Sequence, residues 1–163
     1  METDLPVRQR HEIPNEILSI SSWDEFDYAD AFTLTADGTS RWTAEQWARA
    51  AFGDRPSWQA AFIFRVQLKL RLHWRASPDH VSGARIAEKT DEWIRLEASG
   101  PILEDQMIFH VNDQEASLAV FMRYLTPKGE RTWTRLSPVH RSLAPGLLRD
   151  TYEKLRSGKA ARR

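Results

Sequence analysis

From Ala84 to Ser137 the chain repeats one texture: a short run that alternates apolar and polar residues, then two or three turn formers. The runs are Ala84 to Thr90, Glu92 to Ala98, Ile102 to Asn112, Ala116 to Leu125 and Arg131 to Ser137. Thr90-Asp91, Ser99-Gly100-Pro101, Asn112-Asp113 and Pro127-Lys128-Gly129 separate them. A period of two sends successive side chains to opposite faces of a strand, and connections this short join antiparallel neighbours. The pattern predicts five consecutive strands of a meander. Such a sheet needs a cover over its apolar face, and the chain supplies one at once. Ser137-Pro138 reads as a helix start, a capping hydroxyl followed by Pro at the first helical position. Leu143, Leu147, Leu148, Tyr152 and Leu155 then mark an apolar stripe that lasts to about Ser157-Gly158. Pro145 interrupts the stripe, which predicts a helix that begins twice, at Pro138 and again at Pro145.

Upstream, Ala31 to Thr35 alternates and ends at Asp37-Gly38, a first strand and a turn. Thr43-Ala44-Glu45-Gln46 has the form of a capping box, so a helix carrying Trp47, Ala50 and Ala51 runs from there to Gly53. The segment 57–74 pulls two ways. Trp58, Ala61, Phe62 and Val66 keep helical spacing, whereas Val66 to Leu72 alternates like a strand. Its Ala-rich and Leu-rich content favours a second helix. Residues 1–16, polar and broken by Pro6 and Pro14, form an N-terminal arm, 17–157 one domain and 158–163 a basic tail. The expected fold is α+β: a curved antiparallel sheet of about six strands packed around a long C-terminal helix, with two helices between strands 1 and 2.

Composition narrows the function classes. The 23 basic and 23 acidic residues cancel, which leaves no global field to draw the chain onto nucleic acid or an anionic membrane. No Cys is present, so no thiolate chemistry and no disulfide framework exist, as suits a reducing cytoplasm. The start lacks an apolar signal core, and no apolar run is long enough to span a bilayer. The seven Gly are isolated, so no phosphate-binding or dinucleotide-binding loop can be written. His11-Glu12 opens like a zinc-protease motif, but Asn15 stands where the second His belongs. The five His share no helical spacing, and no metal or organic cofactor is expected.

The order of elements resembles the START-like helix-grip superfamily, which includes polyketide cyclases, aromatase/cyclases and pollen-allergen-type proteins. Trp47-Ala48-Arg49-Ala50, Pro56-Ser57-Trp58, Arg131-Thr132-Trp133 and Ser137-Pro138-Val139-His140-Arg141 are similar to an uncharacterised bacterial family of such domains, over residues 23 to 156. The resemblance implies a cavity between sheet and terminal helix that admits apolar or amphipathic molecules. The superfamily has no universal catalytic motif, so no catalytic residue is carried over.

The candidate site residues are polar groups set into apolar runs, each with a blander reading beside it. In 102–112, Leu103, Met107, Phe109 and Val111 share one face and leave Glu104, Gln106 and His110 on the other. That is a wet face, or, where desolvated, groups able to bind ligand and move protons. Arg123 interrupts a strand whose two faces are both apolar; it pairs with an acid such as Glu104 or Asp105, or else with a ligand anion. Tyr124 is its neighbour. Trp133, Arg135 and His140 gather where a helix-grip cavity would close, with His140 either touching ligand or holding the turn. Trp47 and Trp58 read as core anchors. The leading expectation is binding of a small apolar or aromatic metabolite by a monomer or homodimer. The rivals are a cyclase-type enzyme using Glu104, His110, Arg123, Tyr124 or His140, and a structural domain whose gap is filled by its own side chains.

Overall fold

Among the described residues, seven strands form one antiparallel sheet in the order β1-β2-β7-β6-β5-β4-β3. They are β1 (Val7–Gln9), β2 (Tyr28–Thr35), β3 (His80–Val81), β4 (Ala84–Lys89), β5 (Trp93–Ser99), β6 (Leu103–Val111) and β7 (Glu115–Tyr124). The helices among the described residues are α1 (Asn15–Leu18), α2 (Ala44–Phe52) and α3 (Pro127–Arg156), and a 3-10 turn covers Thr39–Arg41. This computed structural model describes residues 5–53 and 66–158.

The meander is as the alternation predicts from Ala84 to Tyr124. β4, β5, β6 and β7 pair in succession, and β7 closes on β2 with Ala31 opposite Ala119. Even residues of β2, β5 and β7 and odd residues of β6 face α2 and α3, and Phe32, Leu34, Ile94, Leu96, Phe109, Leu118 and Val120 form the main core there. The opposite face is also covered in its middle: Ile17 of α1 and Ile20 pack on Ala31, Ile108, Ala119 and Phe121. β7 is therefore buried on both sides, as its doubly apolar run requires. Trp47 is fully buried, with its indole N–H donating to the Thr39 carbonyl at 3.1 Å. The Thr43 capping box is complete: its hydroxyl accepts from the Gln46 N–H while Gln46 accepts from the Thr43 N–H.

Three expectations are corrected. First, Arg131 to Ser137 is not a strand, and the terminal helix does not begin at Pro138. α3 starts at Pro127, capped by the Thr126 hydroxyl, and runs unbroken through Pro138 and Pro145. Its buried stripe is Gly129, Trp133, Ser137, Ala144, Leu148, Thr151 and Leu155, spaced at three or four residues, or about twice that between Ser137 and Ala144, with Thr132 buried beside Trp133. Small residues at the first buried positions hide that stripe from a hydrophobicity count, while Thr132 and Thr134 imitate a strand.

Second, the sheet has seven strands among the described residues, because the N-terminal arm pairs with β2 through Val7–Gln9 and the two-residue β3 extends the far edge. Third, helix is wrong for 68–74. Leu68, Leu70 and Leu72 are buried while Lys69, Arg71 and His73 are exposed, so burial follows the alternation. Lys69 has a φ of 57°, and Arg71 bridges Ser99, so the piece is irregular edge rather than a regular strand. Residues 54–65 of the expected second helix, Trp58 included, lie outside the described residues.

Gly129 shows why α3 begins where it does. A Cβ there would lie 2.0 Å from the Ile102 carbonyl oxygen, so the first turn of the helix presses directly on the backbone entering β6. Gly129→Ala should destabilise the protein by about 2–3 kcal/mol, since the obstacle is backbone and cannot rotate away. Gly146 lies in the same helix, and a Cβ there would meet nothing within 4 Å. Gly146→Ala should stabilise by about 0.5–1 kcal/mol. Opposite shifts in urea midpoint check the pair; equal shifts would mean that helix propensity, not the contact with Ile102, governs both positions.

Candidate functional site

The sheet is incomplete beside β5. β4 pairs with β5 only as far as Arg85 opposite Glu97, and past that point the edge is taken by residues 69–73. There the Arg71 N–H donates to the Ser99 carbonyl at 2.9 Å and the His73 N–H to the Gly83 carbonyl at 2.9 Å. Gly100 permits this crossing, because a Cβ would stand 2.2 Å from the Lys69 carbonyl oxygen. Between the two edge pieces lies a cleft of about 350 Å³. Trp23, Glu97 and Glu104 line it from the outer face of the sheet, Ala98 and Asp105 from the inner face.

Asp105 is the unusual member. It is 2% exposed, and among the described residues its Oδ1 has no hydrogen-bond partner. Burial first, and then the nearby negative charge of Asp30, push its carboxyl up to about 8, so it is protonated at neutral pH. Together with Ala98 it also borders a second, apolar void of about 10 Å³ among Phe52, Leu70, Leu72 and Met107. That void has room for about one water. Asp105 thus stands between a polar cleft and the core.

The cations around the cleft are unequally matched. Glu97 accepts from Arg85 at 2.7 Å and from Arg95 at 3.3 Å, and Glu104 accepts from Arg123 at 3.0 Å. Arg71 has no acid of its own among the described residues. His73 and His80 stack with ring centroids 4.2 Å apart, and His80 also meets the Ser77 hydroxyl at 3.1 Å. Burial, and then repulsion from His73, lowers the His80 pKa, which favours the neutral ring. Among the described residues no group of three or more His, Cys, Asp or Glu is placed to hold a metal ion.

A second polar cluster fastens α3 to β2. Asp30, 3% exposed, accepts from the Tyr28 hydroxyl and from His140 Nε2 at 3.1 Å. Arg141 Nη1 donates to the Tyr28 oxygen at 3.2 Å. Burial and the Asp30 carboxylate push the Tyr28 phenol far up, so it remains a donor. The Trp133 ring packs against both Tyr28 and His140, at 5.4 and 5.5 Å between centroids, and its buried Nε1 has no partner among the described residues. Apart from that indole, each group is matched to another, which is the signature of a clamp.

The residues singled out from the sequence fall in different places. Trp133 and His140 meet in the clamp, with His140 in the middle of α3 rather than in its first turn. Glu104 and Arg123 are cross-strand partners on the outer face, where the Arg123 guanidinium also lies 4.2 Å over the Trp23 ring. His110 lies on that face too, 3.6 Å from Glu16. Tyr124 closes the inner end of β7, and Arg135 donates to Gln67 at 3.1 Å on the surface. Of the seven, Glu104 is the one that lines the cleft. Arg71 and Asp30 were not among the residues the sequence singled out, and Asp105 entered there only as a possible partner for Arg123, a place Glu104 takes. Asp105 had a legible signal: it occupies the same odd-numbered face as Leu103, Met107, Phe109 and Val111, an acid where alternation demands an apolar side chain.

Comparison of the chain with family models, curated proteins and solved structures gave no match. No helix among the described residues is long and apolar enough to cross a membrane.

Proposed function

We propose that this protein binds a small amphipathic molecule in the cleft beside β4, with the ligand ending on Asp105. The observation that carries this reading is a single carboxyl, fully buried, with one oxygen unpartnered, lining both the cleft and the apolar void behind it. A buried polar atom without a partner costs about 1–3 kcal/mol, and a ligand that supplies the partner recovers that cost. A volume of about 350 Å³ falls at the small end of ligand pockets. Trp23 and Ala98 offer apolar surface beside the polar groups, which suits an amphipathic or aromatic molecule.

The antiparallel sheet with its long terminal helix is compatible with the helix-grip arrangement of START-like proteins, and on that reading the protein is a cytoplasmic binder of small molecules. The ligand's place differs from the gap between sheet and α3 expected from the resemblance. There the described side chains Trp133, Ala144 and Leu148 already belong to one continuous core with Phe32, Leu118 and Val120. A cyclase-type reaction is less well supported, since it needs at least two of Glu104, His110, Arg123, Tyr124 and His140 in one cavity.

Nuclear magnetic resonance titration of the labelled protein with a set of small aromatic acids, amides and alcohols tests the reading. Shifts should concentrate on the backbone amides of Arg71, His73, Gly83, Ala98 and Asp105. Shifts confined to β2 and the middle of α3 would move the site to the sheet–helix gap, and no localised shift with any probe would sink the binder.

A further inference from the structure

We propose that the ligand of this cleft carries a carboxylate, held by the Arg71 guanidinium, and a second oxygen that accepts a hydrogen bond from the Asp105 carboxyl. This rests on the cleft being the binding site. Charge decides the first half. The two carboxylates that line the cleft each have a guanidinium already, Glu97 through Arg85 and Arg95 and Glu104 through Arg123, so among the described residues a ligand cation finds no free acid there. Among the described residues Arg71 is the lining cation left over, an exposed side chain on a backbone fixed by the bridge to Ser99. One unmatched guanidinium balances one negative charge. A dianionic phosphate would place its second charge beside Glu97 and Glu104, so a carboxylate fits better.

The second half follows from the protonation of Asp105. A neutral carboxyl donates one O–H and does not repel an anion, and its buried position makes that donor a strong discriminator. The stacked faces of His73 and His80, with His80 held toward its neutral form, add a flat polar wall beside Arg71.

Three probes separate the parts: benzoate with an ortho hydroxyl, which has both features, benzamide, which lacks the charge, and phenyl phosphate, which doubles it. The hydroxybenzoate should shift the cleft amides and bind tightest. Arg71→Gln should weaken it about tenfold or more, the worth of one charge-assisted bond, while leaving benzamide unchanged. Asp105→Asn, which keeps a donor, should bind within about threefold of the parent, and Asp105→Leu should lose about tenfold. Because both Asp105 variants remove an ionisable core group, their fold is confirmed by the same spectra. If benzamide or phenyl phosphate shifts the cleft amides and hydroxybenzoate does not, the carboxylate assignment falls while the cleft stands as the site. If no probe shifts them, the cleft itself falls. Loss of binding in Asp105→Asn equal to that in Asp105→Leu would overturn the donor role.

Discussion

Asp105→Asn should make the protein more stable at pH 8, and its advantage should shrink as the pH is lowered. The folded carboxyl holds its proton up to about pH 8 because it is buried and faces the charge of Asp30, whereas its ordinary value is 3.8. Between those values the folded state binds one proton more than the unfolded state. Stability from this group is therefore fully present below about pH 4 and is lost as the pH rises through 8. The interval from 3.8 to about 8 spans about four pH units at about 1.4 kcal/mol each, on the order of 6 kcal/mol in all. Asn does not titrate and so lacks this slope. Its amide brings its own buried N–H groups, a cost of about 1–3 kcal/mol that does not change with pH. The net effect is stabilisation at pH 8 and near neutrality or slight loss at pH 4. Urea unfolding of both proteins across that range measures it. Parallel stability profiles would mean that Asp105 is ionised and satisfied in the folded protein, and the binding proposal would lose its support.

A core acid that lowers stability over the physiological range is hard to explain by packing. Its neighbours on the same face, Leu103, Met107 and Phe109, show that this strand has no general need for polarity. Positions that cost stability and sit beside a cleft are where function is sought first.

Much of the sheet was legible because alternation is a local signal that survives without tertiary information. The turns at Asn112-Asp113 and Ser99-Gly100 fall where their chemistry puts them, and the double apolarity of β7 announced a central strand. What was not legible depends on contacts distant in sequence. Gly129 reads as a turn former until the Ile102 carbonyl is known to lie against it. Thr132-Trp133-Thr134 reads as strand because the stripe it belongs to is completed by Gly129 and Ser137, which carry little hydrophobic signal. The cleft was invisible for the same reason: it exists because residues 69–73 meet Ser99 and Gly83, and no local pattern encodes that meeting. Asp105 was the exception, a local violation of alternation that needed no distant contact to be noticed.

The clamp between β2 and α3 carries the largest expected losses. Pro138 and Pro145 each lack the N–H that a helix interior requires, so the carbonyls of Thr134 and Arg141 receive no bond from them. The helix is weakened on both sides of the short piece that contains His140 and Arg141, and these two side chains tie that piece to Asp30 and Tyr28. Anchoring thus falls where backbone bonding is poorest. Asp30→Ala removes the shared acceptor and leaves the Tyr28 hydroxyl and the His140 N–H without it, at a cost of about 3 kcal/mol or more. His140→Ala leaves Asp30 with Tyr28 and should cost about 2 kcal/mol. The double variant should cost about 1–2 kcal/mol less than the sum, because each single change already breaks the same bond. Tyr28→Phe keeps the Asp30–His140 contact and should lose about 1–2 kcal/mol through the missing hydroxyl. Denaturant unfolding of the four variants gives the cycle. Strict additivity of the Asp30 and His140 effects would show that the two side chains do not act on one another, and α3 would then be held to the sheet by its apolar stripe alone.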